Sequence, residues 1–302
     1  MQKIIILVAC HLIRELAKID SSIAVADIDP DMISYENVTV HQLPFPSGRN
    51  SMTKEFEKKR GDRLISKEII DVVKEVPPGE GIIIFTHKER GKLNIAKTLR
   101  SDLSDAGIDT EATIEVSIGH TSESSQGESP KPRINFLTWG NETSISEFSY
   151  CQHIIFAGVL HRSYIDIGSA IAGQKNDLST ELHNKHIREV MQSEVAHCFY
   201  QGLSRGSSRV IDNGTTRHMT AWLIHKQDIK HIIQQVMPGV CWQTWKPKHL
   251  PVSETKLSML IERLKSEVSA LSSEIKSMSI SKLKKLSNMT DIPARSYSRA
   301  LS

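Results

Sequence analysis

The chain has 302 residues, 39% of them hydrophobic, and 38 Lys and Arg against 35 Asp and Glu; that suits one large or two ordinary domains, and so small a positive excess does not by itself call for a polyanionic partner. Four scattered cysteines, Cys10, Cys151, Cys198 and Cys241, form no C-x-x-C, which excludes a zinc ribbon or disulfide framework and points to a reducing, cytoplasmic setting. Met1–Ala9 is apolar but too short to span a bilayer, and His11, Arg14 and Glu15 follow it without a small-residue cleavage site, so neither a signal peptide nor a membrane partner is expected.

In chain order, Ile4–Ala9 reads as a buried strand and His11–Lys18 as a short helix. Ser22–Ala26 is a second apolar run, ending at Asp27, Asp29 and Pro30, where turn chemistry accounts for the acids. Val38–Leu43 alternates as a strand does, and Pro44, Pro46, Ser47 and Gly48 make a loop. Arg63–Val76 carries apolar residues at helical spacing until Pro77-Pro78-Gly79 stops it. Gly81–Phe85 is a buried strand ending in Thr86 and His87, and Lys92–Asp105 an amphipathic helix closed by Gly107. Strands are expected over Thr113–Ile118, Arg133–Trp139 and His153–Val159, and loops over Thr121–Pro132 and Gly168–Ser179. A helix over Thr180–Tyr200, a strand over Thr220–Ile224 and a helix over Gln227–Val236 complete the αβ pattern.

Strands alternating with helices imply an α/β fold, a mostly parallel sheet with helices on both faces. Ligands of such sheets sit beyond the carboxyl ends of the strands. On this reading Thr86 and His87, Thr138–Asn141 and Leu160–Ser163 share one rim, with Gln201–Arg209 nearby.

Gln201-Gly-Leu-Ser-Arg205-Gly-Ser-Ser-Arg209 sets two arginines four apart among small residues. Arginine is a planar fork of donors suited to phosphate oxygens, and Gly and Ser let a phosphate chain approach. The stretch resembles the last signature of superfamily two RNA and DNA helicases, Gln-x-x-Gly-Arg-x-x-Arg. Gln201 and Arg205 match in register; Ser204 stands where the family has Gly, and Arg209 comes one residue late, Ser208 holding its place. Ile82–His87 looks like the strand opening that family's second RecA-like lobe. Leu137-Thr138-Trp139-Gly140 looks like the next signature, with Trp139 and Asn141 departing from it. The resemblance, over Val38–Val236, implies a RecA-like lobe in which Arg205, Arg209 and Gln201 act on the γ-phosphate of ATP. It implies that Gly140, Gly202 and Gly206 border the nucleotide and that Thr86, His87 and Thr138 touch the backbone of DNA or RNA.

The other half of such a motor is missing from the sequence. G-x-x-x-x-G-K-[ST] does not occur: Gly91-Lys92 is followed by Leu93, Thr86 occupies the first glycine's place, and no Asp-Glu pair exists. ATP and Mg²⁺ are therefore expected only with a complete first lobe, in the same polypeptide or a partner ATPase chain, and no appreciable hydrolysis is expected of this chain alone.

The expected organisation is residues 1–37 as an N-terminal extension or remnant of the first lobe, 38–240 as the RecA-like lobe, and 241–252 as a linker. In the linker, Trp242 and Trp245 either stack on bases or seal the domain edge. Residues 253–278 carry Leu257, Ile261, Leu264, Val268, Leu271, Ile275 and Met278 at alternating spacings of four and three, a coiled-coil seam for self-association or for packing on the lobe. Residues 279–302 read as two short helices around a turn, resembling a helix-turn-helix with Arg295 and Arg299 toward DNA, or as a helical cap. The competing function is a non-enzymatic DNA-binding or assembly protein that works through this tail. His183, His186, His197 and Cys198 do not converge as zinc requires, so no metal is expected.

Overall fold

The computed structural model describes residues 12–20, 32–89, 91, 93–116, 130–140, 147–177 and 179–250. The chain divides into two units, Met1–Leu250 and Pro251–Ser302, and every described residue belongs to the first. The strands expected over Ile4–Ala9 and Ser22–Ala26, the coiled coil, the helix-turn-helix, Arg295 and Arg299 lie outside the described residues.

The elements in chain order are α1 (Glu15–Ile19), β1 (Val38–Leu43), α2 (Arg49–Phe56), α3 (Leu64–Glu75), β2 (Gly81–Thr86), α4 (Ile95–Asp105), β3 (Thr113–Ile114), β4 (Lys131–Pro132), β5 (Ile134–Thr138) and β6 (Cys151–Phe156). They continue with α5 (Tyr164–Lys175), α6 (Asn184–Leu203), β7 (Ile211–Asp212), β8 (Thr215–Thr216), β9 (Met219–Ile224), α7 (Lys230–Ile233) and β10 (Cys241–Thr244). Six strands pair in the order β10-β1-β9-β6-β2-β5, all parallel. This is the α/β sheet that the apolar runs imply: strands buried on both faces read as near-continuous hydrophobic segments.

The two-residue period of a strand divides the core between two faces. On one face Ile83, Phe85, Ile154, Phe156, Ala221 and Leu223 meet Val195, Ala196, Phe199 and Leu203 of α6. On the other, Ile82, Ile84, Ile134 and Ile155 meet α2, α3 and α4 through Met52, Phe56, Ile65, Ile69, Leu99 and Leu103. Trp139, a departure from the helicase signature, belongs to this core: it is 3% exposed, stacks on Phe85 at 4.9 Å and donates Nε1–H to the Gly158 carbonyl at 3.0 Å. Among the described residues no helix is long and apolar enough to cross a membrane.

Several elements differ from the sequence expectation. Gly168–Ser179 is not a loop, because α5 occupies most of it. Its capping box, with Ser163 Oγ accepting from the Asp166 N–H and Asp166 reaching back, outweighs the helix-weakening glycines. Of Thr113–Ile118, Thr113–Ile114 form β3, an antiparallel pair with β4, and residues 117–118 lie outside the described residues; Gln227–Val236 shortens to the single turn of α7.

The segment expected as a linker is built into the sheet. Thr39 to Gln42 pair with Cys241 to Thr244, so β10 is an edge strand. Trp245 is buried, and the Trp242 Nε1–H donates to Gln42 Oε1 at 3.0 Å; both rings seal the domain edge. The next residues are fastened to α3, where the Glu68 carboxylate, 1% exposed, accepts the N–H groups of Lys248, His249 and Leu250 at 3.1, 2.6 and 3.0 Å. Glu68→Ala should therefore cost about 1–3 kcal/mol, the penalty of buried donors left without an acceptor. It should also speed amide exchange at residues 248–250; unchanged exchange there would contradict the clamp.

Candidate functional site

The expected site residues divide between the two ends of the sheet. The turn from Ser204 to Val210 follows α6 and leads toward β9, so it lies at the amino ends of the strands. A Cβ on Gly206 would stand 3.0 Å from the Cys151 carbonyl at the start of β6, and the Ser207 hydroxyl donates to the His218 carbonyl, just before β9, at 2.7 Å. The expectation that this turn borders the same rim as Thr86 and Thr138 is therefore corrected. A helix returning from a strand's carboxyl end to a parallel neighbour delivers the chain to that neighbour's amino end.

Within the turn, Arg205 is half-buried and its Nε–H donates to the Gln201 carbonyl at 3.2 Å. Arg209 is exposed at the end of the 3₁₀ turn Ser207–Arg209. Ser208, which holds the register of the family's second arginine, is 5% exposed and donates its hydroxyl to the Leu203 carbonyl. Gly202 and Gly206 serve packing. A Cβ on Gly202 would lie 2.5 Å from Phe156 Cε1, and one on Gly206 would meet Ile154 and Met219 besides the Cys151 carbonyl. Their missing side chains are what let α6 and its turn approach the sheet, and the room is already filled by the protein.

At the carboxyl rim, Thr86 and His87 are 0% and 1% exposed. Neither side chain is exposed on the surface where a nucleic-acid backbone was expected to touch it. The His87 imidazole instead meets the Ser47 carbonyl, Nε2 to O at 3.0 Å, and burial pushes its pKa down to about 4. Gly158, with φ +104°, makes room for that ring, since a Cβ there would stand 2.7 Å from His87 Nε2. Thr138 is half-buried, and Gly140 has φ +97° with Lys88 Nζ 3.0 Å from where its Cβ would be.

A concave feature of this rim escaped the sequence reading. Beyond the adjacent ends of β1, β9 and β6 lies a cavity of about 500 Å³, lined among others by Ser47, Gly48, His161, Arg188, His225 and Lys226. Ser47 Oγ is the hub, 2.9 Å from His225 Nδ1 and 3.3 Å from His161 Nε2. Burial lowers the pKa of His161 and pushes that of His225 down to about 4, so both rings are neutral at pH 7. Among the described residues, none that lines the cavity is acidic. Ser47, His161 and His225 are more than sixty residues apart, so no spacing signals them; each simply follows the end of a strand.

No family model and no curated protein matches the chain. A solved structure titled XPD_APO matches over 70% of this chain with 11% identity and a TM-score of 0.37, and the chain covers 40% of that structure.

Proposed function

We propose that the chain is the second lobe of a nucleic-acid-dependent ATPase. It lends Arg205 and Arg209 to a triphosphate held by another lobe or chain, and takes a DNA or RNA strand at the opposite end of its sheet. The observation that carries this reading is the Gln201–Arg209 turn: a glutamine and two arginines at the end of α6, Arg205 half-buried and Arg209 exposed. A parallel, doubly covered sheet of the RecA-like kind is the scaffold on which such a turn would work.

Three parts would act together. Guanidinium groups supply charge where phosphoryl transfer develops it. The carboxyl rim holds backbone phosphates, which position a strand without reading its sequence. Helix α6 joins the two ends: Arg188 beside the rim cavity and Gln201 at the turn lie on it roughly 20 Å apart at about 1.5 Å per residue.

The test is ATP hydrolysis, by the pure chain and by the chain joined to a phosphate-loop lobe, with and without single-stranded DNA. The expected result is none from the pure chain and DNA-stimulated hydrolysis from the joined protein. Hydrolysis by the pure chain that disappears in Arg205→Ala would contradict the proposal, because the triphosphate would then be held within this chain.

A further inference from the structure

The cavity over β1, β9 and β6 has the makings of an anion site, for reasons independent of the arginine turn. Its lining includes Gly48, the residue from which α2 starts. That helix begins at Gly48 with no side-chain cap and no acid in its first turn, and its first residue is Arg49. Uncapped first-turn amides and the positive end of the helix dipole favour a negative charge, and a cation at that position does the reverse. The α2 terminus is therefore electrostatically incomplete as it stands.

A second observation points the same way. His225 lines the cavity and is 1% exposed, yet its Nε2 has no hydrogen-bond partner. In the tautomer in which Nδ1 accepts the Ser47 hydroxyl, the ring's proton sits on Nε2 and forms a buried donor without an acceptor. A buried donor left unpaired costs on the order of a lost hydrogen bond, so its persistence calls for a ligand oxygen. Around it stand Arg188 and Lys226, both exposed, and among the described residues neither forms an ion pair.

We infer that this cavity binds a phosphate group, held by the first-turn amides of α2, Ser47 and His225, with Arg188 and Lys226 supplying charge. His87 is a positioning residue: its ring on the Ser47 carbonyl fixes the loop that presents the hydroxyl and the helix start. The phosphate can belong to a nucleic-acid backbone or be free in solution, since both offer the same tetrahedral oxygens.

Titration of the chain with inorganic phosphate and, separately, with a short oligo(dT), followed through the imidazole ¹⁵N signals of His161 and His225, tests the site. Both signals should move with either ligand, and oligo(dT) should bind more tightly if the strand is the source. Arg188→Glu and Lys226→Glu should each weaken binding about tenfold, the worth of a charge-assisted contact. Gly48→Ala should weaken it with the fold intact, because φ is −66° and the new Cβ would sit 3.5 Å from His161 Cδ2, an ordinary contact. Movement with inorganic phosphate but not with oligo(dT) supports a free-anion site and counts against the strand at this rim. Silent histidine signals with both ligands overturn the inference. So does oligo(dT) binding that leaves these signals and the two charge-reversal variants unaffected; the lobe reading would survive that result only with the strand elsewhere on the carboxyl rim.

Discussion

In a motor completed by a phosphate-loop lobe, Arg205→Ala should lower nucleic-acid-stimulated ATP hydrolysis by about 10³ to 10⁵, the range of an arginine finger. That factor corresponds to roughly 4 to 7 kcal/mol of transition-state stabilisation. Arg205 is half-buried and its guanidinium is directed in part by the Gln201 carbonyl, so it is held near one place before any ligand arrives. The one-residue displacement of the second arginine has a structural counterpart: the turn Ser207–Arg209 puts Ser208 inside and Arg209 outside. Arg209→Ala should therefore also slow hydrolysis, whereas Ser208→Ala should leave kcat unchanged. Equal rates for Arg205→Ala and the parent, at equal thermal stability, would remove the arginine-finger role.

Acid should destabilise the α/β unit, and two buried imidazoles contribute most plainly. His87 and His225 ordinarily titrate near 6.5, and burial pushes each to about 4. The unfolded chain takes up these protons once the pH falls below about 6.5; the folded chain resists until about 4. Stability from these groups is thus complete above pH 6.5 and is lost as the pH falls to and through 4. At about 1.4 kcal/mol per pH unit for each ring, the loss is on the order of 3 kcal/mol apiece. That is a large share of a domain stability of about 5–15 kcal/mol. Urea melts between pH 8 and pH 4 should show the fall, and His225→Gln should make it shallower. A parent and variant with the same pH dependence would contradict the assignment. A bound phosphate would soften the loss by favouring the charged ring.

Much of the sheet was legible because parallel strands are buried on both faces. Ile82–Phe85 and Ile154–Phe156 have no polar interruption, and the helices α3 and α4 carry their apolar residues at helical spacing. What escaped reading was set by tertiary context. β10 is four residues of mixed polarity whose only strand-like property is the pairing offered by β1. Helix α5 contains Gly168 and Gly173, and its deciding signal was the Ser163–Asp166 capping box, present in the sequence but unused. The position of Gln201–Arg209 was derivable from the order of elements alone, since a turn between a helix and the next parallel strand belongs to the amino edge. The rim cavity was not derivable: Ser47, His161 and His225 meet only because β1, β9 and β6 are neighbours, and strand order is not written in local periodicity.

On the proposed reading one sheet has two working ends, a strand held at one and a triphosphate engaged from the other. Hydrogen exchange of the chain with and without saturating single-stranded oligo(dT) tests this most directly. The predicted result is slowed exchange in the rim segments around Ser47–Asn50, Leu160–Ser163 and His225–Gln227, with Gln201–Arg209 unchanged. Slowing confined to Gln201–Arg209, with the rim unaffected, would contradict it.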